Sequence, residues 1–282
     1  MTYRELVAPI HRSGPGLHSG RDFDLAIEPA PGPLTLGIEG GPRLPLSAFS
    51  LSGDARGTDF IFPEPNSGVK IRTCEHVLSA MAGCGVWSGA ITVGGQGGGE
   101  FEMPGMDGCS SDLAREIMEK SAPASVPPEP IRLMSPICSG SGRRCVAAFP
   151  SRGFEITYVI DYDAAPIGTM LFDYDGERSD YVSEVSVART FVMRRDIEGL
   201  RASGLALGGS TRGAVVVDDS GVETEGGLRF RDEFVRHKTL DLIGDLAALG
   251  RPIAARILAL RAGHAQHVGL VELIKAAACP SR

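Results

Sequence analysis

Four prolines within ten residues, in the segment SAPASVPPEP at Ser121–Pro130, interrupt the chain near its middle. Proline breaks a helix interior and lacks the N–H that a central strand needs, so this segment is predicted to be extended connecting chain. It separates two stretches of similar length, and 282 residues suit two domains better than one. We therefore expect an N-terminal domain over residues 1–122 and a C-terminal domain over residues 131–282.

Both stretches follow one plan, in which strands precede helices. The strand-like runs lie between glycine and proline turns, at 23–27, 34–38, 90–93, 145–149, 154–160 and 214–218, with one more near the C-terminus. The helix-like segments lie at about 73–82, 111–120, 183–189, 195–204 and 232–249, and a final helix follows them. Each half places a histidine on a helix, so the pattern predicts two α+β domains of like build and favours a duplication.

Charge and composition narrow the possible partners and the compartment. The net charge of −7 argues against nucleic acid as the main partner. The six cysteines form no CxxC pair, and in a chain of this length they are expected to be reduced thiols. The N-terminal residues lack the apolar core of a signal peptide, and no stretch approaches the roughly 20 apolar residues of a membrane span. We expect a cytoplasmic protein with no integral membrane segment, and peripheral membrane contact stays open.

The segment EFVRHKTLDLIGD, Glu233–Asp245, carries a polar stripe on an otherwise apolar helix. His237, Asp241 and Asp245 are four residues apart and so share one face. Neutral imidazole and carboxylate are zinc ligands, so the first two can reach one ion, whereas Asp245 lies a turn too far and can instead hydrogen-bond another histidine. The ordinary alternative is a solvated polar face of the helix. Taken alone, the pair His237 and Asp241 favours that alternative over a metal site.

Three other segments supply groups that a zinc hydrolase needs. TCEHVLSA places Glu75 beside His76, which gives a base and a third ligand. His264, after a glycine in RAGHA, is a candidate general acid or oxyanion partner, and Thr190 in SVARTFVM can offer its hydroxyl to an oxyanion. Each has an ordinary alternative: a first-turn glutamate favoured by the helix dipole, a surface-loop histidine and a capping threonine. Only the combination indicates metal-assisted hydrolysis.

The chain resembles the UDP-3-O-acyl-N-acetylglucosamine deacetylases, which are zinc enzymes of the committed step of lipid A, and hence lipopolysaccharide, biosynthesis. The resemblance lies, in chain order, in the motifs GPGLHSG, TCEHVLSA, MPGMDG, SEVSVARTF, LALGGS and GLRFRDEFVRHKTLDLIGDLAALGRPI…RAGHA. It extends from about Arg12 to Leu273 and is most specific from Leu228 to Ala265. It implies an α+β fold of two similar domains, each a β-sheet with two helices, and the helices packed together between the sheets.

The resemblance also implies a metal centre. One Zn²⁺ per chain would be held by His76, His237 and Asp241, and Glu75 would be the general base. The physiological metal stays open, since iron also suits two histidines and one aspartate.

Four further residues receive catalytic roles by the same resemblance. His264 would stabilise the oxyanion and protonate the leaving amine, and Asp245 would orient it. Thr190 would contact the oxyanion. Lys238 would position the substrate and help to stabilise charge.

The substrate implied by the resemblance is a UDP-linked acylated amino sugar whose acyl chain enters a hydrophobic passage in the second domain. Four residues of ARTFVMRRDI and GLALGGSTRGAVVV would line it: Phe191, Ile197, Ser210 and Val216. Plain core packing is the alternative for the apolar residues among them. The protein is expected to be a monomer.

The sequence departs from the family pattern at several positions near these motifs. Val192 stands where the family has glycine, and Arg194 where an apolar residue is usual. These two substitutions could narrow the hydrophobic passage, shift its register or change the acyl preference relative to the family. Trp87 and Ser88 replace Asp–Asn, Gly105 interrupts the proline-methionine-aspartate-glycine motif, and His267 replaces Asn.

The leading hypothesis is therefore zinc-dependent hydrolysis of the N-acetyl group of UDP-3-O-acyl-N-acetylglucosamine, giving UDP-3-O-acyl-glucosamine and acetate. The alternatives are a divergent zinc deacetylase acting on another N-acetylated sugar nucleotide, a catalytically silent binding relative, and a purely structural zinc site.

Overall fold

The computed structural model describes residues 2–53, 56–95, 98–164 and 166–278. The helices in these ranges are α1 (Glu75–Gly83), α2 (Ser111–Glu119), α3 (Tyr181–Glu184), α4 (Arg194–Ala202), α5 (Glu233–Ala247) and α6 (His264–Ala278). None of these helices combines the length and the apolar character needed to cross a bilayer. The five cysteines within the described ranges are free thiols, as predicted, and Cys279 lies outside those ranges.

The strands fall into a group before and a group after the proline-rich segment. The first group is β1 (Arg4–Leu6), β2 (Ile10–Pro15), β3 (Asp22–Glu28), β4 (Thr35–Ile38), β5 (Arg43–Pro45), β6 (Ser50–Gly53), β7 (Thr58–Ile61), β8 (Lys70–Arg72), β9 (Ala90–Gly94), β10 (Glu100–Glu102) and β11 (Ser121–Pro123). The second group is β12 (Ile131–Arg132), β13 (Ile137–Ser141), β14 (Arg144–Pro150), β15 (Glu155–Asp161), β16 (Thr169–Asp175), β17 (Thr190–Met193), β18 (Ala214–Asp218), β19 (Gly221–Glu223) and β20 (Ile253–Leu260).

Two large sheets, one from each group, have the same topology. The first has the order β2-β3-β9-β4-β5; the five main strands of the second have the order β13-β14-β20-β15-β16, and a sixth, β12, also pairs with β20. In each, the last strand in the chain lies between the second and third, parallel to the third and antiparallel to the second. This confirms the α+β prediction and is the arrangement that a duplication would produce, while the boundaries at 122 and 131 stay a prediction.

The two sheets also share the placement of their helices and of a smaller sheet. In each half the strands of a small sheet, with the exception of β10, and then a helix, α1 or α5, precede the closing strand, and a second helix, α2 or α6, follows it. The small sheets have the orders β10-β8-β7-β6 and β17-β18-β19. Strand β15 shows how the sequence sets the faces: in EITYVID, Ile156, Tyr158 and Ile160 are buried and their neighbours are partly exposed, the period-2 pattern of a half-covered sheet.

Helices α1 and α5 pack against each other at a glycine. A Cβ built on Gly244 would lie 1.9 Å from the carbonyl oxygen of Glu75, so no other residue permits this approach without a shift of the backbone. Glycine within a helix costs about 1 kcal/mol relative to alanine. In return, the first turn of α1 lies directly against the polar stripe of α5.

The predicted helix at 183–189 is wrong over most of its length. Helix α3 ends at Glu184, and the chain then turns towards β17. Two contacts show that the helix does not continue: the Ser186 backbone N–H donates to the Tyr181 carbonyl rather than to that of Val182, and the Arg189 backbone N–H donates to the Glu233 carboxylate. A buried ion pair between Arg189 and Glu233, with Nε to Oε1 at 2.9 Å, then holds this turn on the first residue of α5.

Candidate active site

A triad of possible metal ligands forms where α1 meets α5. The Nε2 atoms of His237 and His76 lie 3.3 Å and 3.7 Å from Oδ1 of Asp241. One ligand atom from each of the three residues falls within 4.8 Å of the others, and all three side chains are buried. The structure therefore brings together the three residues that the sequence singled out as ligands.

The protonation state of the triad suits a divalent cation. His237 Nδ1 lies 3.1 Å from the Ala188 carbonyl oxygen, which only accepts, so Nδ1 carries the proton and Nε2 presents its lone pair. Burial lowers the pKa of His76 to about 3 and also lowers the pKa of His237, so both imidazoles are neutral. Burial opposes ionisation of Asp241, but the cationic Lys238 and His264 hold its pKa well below the usual range. Two neutral imidazoles and one carboxylate match zinc or ferrous iron.

Lys238 lies beside the triad. Its Nζ donates a 2.8 Å hydrogen bond to Asp241 Oδ2, the oxygen that is not shared with the imidazoles. Burial favours the neutral amine, yet Asp241 outweighs it and raises the pKa of Lys238 above its ordinary value. The group is therefore an ammonium at the wall of the site.

Glu75, the first residue of α1, is the carboxyl group closest in sequence to a ligand. Its Oε2 accepts a 3.0 Å hydrogen bond from the Thr58 backbone N–H, and Gly57 leaves room for its other oxygen. Burial raises the pKa of Glu75 to about 8; His264 lowers it, and Asp245 and Asp241 raise it further. A buried carboxyl that titrates near neutrality, next to a metal triad, has the properties of a general base.

A second polar cluster lies one turn along α5, around Asp245. Its Oδ2 accepts hydrogen bonds from His264 Nδ1 at 2.9 Å and His267 Nδ1 at 2.7 Å. Its Oδ1 accepts a 2.6 Å hydrogen bond from the Thr58 hydroxyl. The spacing of Asp245, His264 and His267 would also admit a metal ion. However, the hydrogen-bond lengths show that donors already occupy this carboxylate.

The Asp245 cluster carries positive charge on His264. Burial lowers the pKa of His264, but Asp245 and Asp241 outweigh it and raise that pKa to about 9. Burial likewise opposes ionisation of Asp245, yet His264 and two hydrogen bonds bring its pKa down to about 2. The His264 imidazolium turns Nε2 towards the triad, 3.6 Å from Asp241 Oδ2. It faces the same space as Glu75.

A cavity of about 640 Å³ opens onto these groups. Its walls include every residue to which the sequence gave a ligand or catalytic role except Asp245, which lies behind His264: Glu75, His76, Thr190, His237, Lys238, Asp241 and His264. The cavity continues between β17, α4 and β18, where all four predicted passage residues line it: Phe191, Ile197, Ser210 and Val216.

Three residues at which the sequence departs from the family pattern, Val192, Arg194 and Trp87, differ in whether they line the cavity beside the triad. Val192 pairs with Val216 across β17 and β18, and both line the cavity. Arg194 lines it too, but its guanidinium forms ion pairs with Asp218 and Glu223 and is about half exposed. Trp87 lines a separate cavity of about 220 Å³. Of these three residues, only Val192 presents an apolar side chain to the cavity beside the triad.

Sequence reasoning missed Thr58 and the partners of His267. Thr58 bridges the two functional carboxyl groups, through its N–H to Glu75 and its hydroxyl to Asp245. In the sequence, the one feature that could have indicated Thr58 is a polar residue at a position of TDFI whose alternation predicts a buried side chain. His267 was noted as a departure, but nothing in the sequence linked it to Asp245.

Comparison with known proteins gives one consistent result. The family model described as UDP-3-O-acyl N-acetylglycosamine deacetylase matches residues 4–276. Proteins named UDP-3-O-acyl-N-acetylglucosamine deacetylase are similar over nearly the whole chain. The protein from Acidithiobacillus ferrooxidans is 34% identical over 96% of this chain and 89% of its own length. Those from Myxococcus xanthus and Pseudomonas entomophila are 35% and 36% identical, each over 93% of this chain and over 82% and 86% of their own lengths. The chain therefore belongs to the UDP-3-O-acyl N-acetylglycosamine deacetylase family.

Proposed function

We propose that this protein removes the N-acetyl group of UDP-3-O-acyl-N-acetylglucosamine by zinc-dependent hydrolysis, giving UDP-3-O-acyl-glucosamine and acetate for lipid A biosynthesis. One observation carries the proposal: a buried base, a metal triad and a buried imidazolium converge on one cavity that continues between β17, α4 and β18, where Phe191, Ile197 and Val216 line it. The names of the relatives support the same substrate.

The proposed metal is one Zn²⁺ per chain, held by His76, His237 and Asp241. The neutral imidazoles and ionised carboxylate described above support this donor set. A zinc ion bound there supplies a Lewis acid for the amide carbonyl and acidifies a water molecule. Positive charge among these ligands lowers the pKa of the adjacent Glu75 and favours its ionised, proton-accepting form.

The proposed proton transfers use Glu75 and His264. Glu75 takes the proton of the attacking water, and the His264 imidazolium later gives its Nε2 proton to the departing amine. The imidazolium, the Thr190 hydroxyl and the Lys238 ammonium stabilise negative charge on the former carbonyl oxygen. Asp245 keeps the second proton of His264 on Nδ1, so that Nε2 is the atom that reacts.

The proposed acyl site is the passage between β17, α4 and β18. Phe191, Ile197 and Val216 offer apolar surface there, and Ser210 lies at an exposed position of its wall. Burial of each methylene of an acyl chain in such a passage contributes about 0.8 kcal/mol. Val192 lines this space opposite Val216, and we propose that it narrows the passage and sets the acyl preference.

The first test is acetate release by zinc-loaded protein from UDP-3-O-acyl-N-acetylglucosamine, with UDP-N-acetylglucosamine as the parallel substrate. We expect release from the acylated sugar and far less from the other. Equal release from both would favour the divergent deacetylase, in which the acyl chain is not read. Release from neither, with one zinc bound per chain, would overturn the proposed substrate.

Two further properties belong to the same proposal. The cytoplasm is the proposed location and a monomer the proposed oligomeric state. Light scattering coupled to size-exclusion chromatography tests the second, and fractionation of the source cells tests the first.

A further inference from the structure

His267 is a fully buried histidine to which the proposed chemistry gives no role. It lies on α6, one turn after His264, and is 0% exposed. Its Nδ1 lies 2.7 Å from Asp245 Oδ2, the same oxygen that His264 Nδ1 contacts at 2.9 Å. The shorter of these two hydrogen bonds therefore belongs to the histidine that does not line the cavity.

Tyr158 continues this chain of contacts away from the site. Its hydroxyl lies 3.0 Å from His267 Nε2 and also 3.0 Å from the Ala262 carbonyl oxygen. Tyr158 is itself fully buried on β15, beneath α5 and α6. A single hydroxyl proton thus has two possible acceptors, and the choice between them depends on the protons of His267.

The proton positions follow from the acceptors. An ionised carboxylate only accepts, so both imidazoles must carry a proton on Nδ1. The pKa of Asp245 near 2 keeps that carboxylate ionised. Burial lowers the pKa of His267, so the ring is neutral and its Nε2 is a hydrogen-bond acceptor for the Tyr158 hydroxyl, which is also placed to donate to the Ala262 carbonyl oxygen. The chain therefore runs from the tyrosine hydroxyl to His267 Nε2, and from His267 Nδ1–H to the carboxylate.

We propose that His267 and Tyr158 are positioning residues that hold the Asp245 carboxylate and, through it, the His264 ring in its reactive orientation. The inference rests on the proposed function of His264. Without His267, one of the three donors to Asp245 is lost, and only the Thr58 hydroxyl and His264 itself hold the carboxylate, so its orientation is less fixed. His264 then loses a fixed acceptor, and its Nε2 no longer points steadily into the cavity. Partners of this kind typically change activity by roughly 10–100-fold when removed.

The test compares two substitutions at one position. His267→Asn keeps an amide N–H close to the place of Nδ1, whereas His267→Leu fills similar space with no donor. With UDP-3-O-acyl-N-acetylglucosamine, we expect His267→Leu to lower kcat by roughly 10–100-fold. His267→Asn should stay within about threefold of the unaltered protein, and KM should change less than about twofold in both. Zinc content and the melting temperature are measured for each variant.

A spectroscopic measurement separates positioning from packing. In ¹⁵N-labelled, zinc-loaded protein, His267 should show the pattern of a neutral ring protonated at Nδ1. Tyr158→Phe removes the donor to Nε2, and should change the Nε2 signal while lowering kcat less than His267→Leu does.

Three outcomes would overturn the inference. The first is unchanged kcat in His267→Leu. The second is an equal loss in His267→Asn and His267→Leu that follows their loss of zinc or of melting temperature. The third is a His267 ring protonated at Nε2 alone. Failure of the unaltered protein to release acetate would overturn the proposed function instead, and the ¹⁵N pattern would still decide the geometry.

Discussion

The Asp241 and Asp245 clusters are built from the same parts and differ in spacing. Each has one aspartate of α5 facing two buried imidazoles. Around Asp241 the nitrogen–oxygen distances are 3.3 Å and 3.7 Å, whereas around Asp245 they are 2.7 Å and 2.9 Å. The distances around Asp241 are too long for good hydrogen bonds and leave room for a metal ion. Those around Asp245 are hydrogen-bond lengths, so an N–H proton already lies between each nitrogen and the carboxylate.

The difference arises from which ring nitrogen faces the carboxylate. In the Asp241 cluster both imidazoles turn Nε2 inwards, and His237 uses its Nδ1 proton on the Ala188 carbonyl. In the Asp245 cluster both imidazoles turn Nδ1 inwards as donors. A group of metal-ligand residue types therefore says little until the tautomers are known, because the same residues can bind an ion or share protons.

Paired substitutions of the two aspartates should give the largest contrast. Asp241→Asn should lose both zinc and turnover, because a neutral amide replaces an anionic ligand. Asp245→Asn should keep one zinc per chain but lose turnover by at least roughly tenfold, because it alters the proton partner of His264. Metal analysis and acetate release measure both effects. Loss of zinc from Asp245→Asn alone would reverse the roles assigned to the clusters.

Glu75→Gln tests the group that faces both clusters. The substitution keeps the shape of the side chain but removes the base, so kcat should fall by roughly 10²–10⁴-fold with zinc retained. His237→Ala is the matched control, in which zinc and turnover are lost together. Full turnover by Glu75→Gln would remove Glu75 from the mechanism.

The same carboxyl should make the stability of the zinc-free protein depend on pH. The pKa of Glu75 rises from 4.5 to about 8 in the folded state, because burial and the two aspartates favour its protonated form. A raised pKa gives stability that is present below pH 4.5 and is lost as the pH rises through about 8. Between these values the unaltered protein should lose roughly 1 kcal/mol per pH unit relative to Glu75→Gln. Urea unfolding at pH 5.5 and 8 measures the difference, and a constant difference would contradict it.

Gly244→Ala tests the contact that brings α1 to both clusters. Alanine favours a helix by about 1 kcal/mol, but its Cβ would meet the Glu75 backbone. We expect overpacking to prevail and the free energy of unfolding to fall by about 1–3 kcal/mol. Gly199→Ala in α4 is the matched control, because a Cβ there meets nothing within 4 Å and should be neutral or stabilising. Equal effects at the two glycines would show that the helices do not need this approach.

The Asp241 cluster could be predicted from the sequence, and the Asp245 cluster only in part. His237 and Asp241 are four apart on a helix, so local geometry places them together, and the family motifs supply His76. Asp245 and His264 were paired by resemblance. Thr58 and Tyr158 were not found, since each reads as an ordinary position of an alternating strand. Their roles depend on which face of a sheet meets α5 and α6, and that is decided by tertiary packing.

The same limit explains the fold predictions. The long helix and most central strands were placed to within a few residues, because their apolar pattern is strong. The pattern predicts helix at 183–189, but Arg189 uses its backbone N–H and its guanidinium on Glu233, far along the chain. No local pattern contains that partner.

Because each large sheet is formed by one half of the chain, the site residues are synthesised at two different times. Glu75 and His76 are on α1, which emerges early, while every other ligand and the proposed acid are on α5 and α6, the last two helices described. A growing chain can complete the first sheet and still hold only Glu75 and His76 among the residues assigned to the site. The site is complete only after α5 and α6 have been synthesised and α5 has packed against α1.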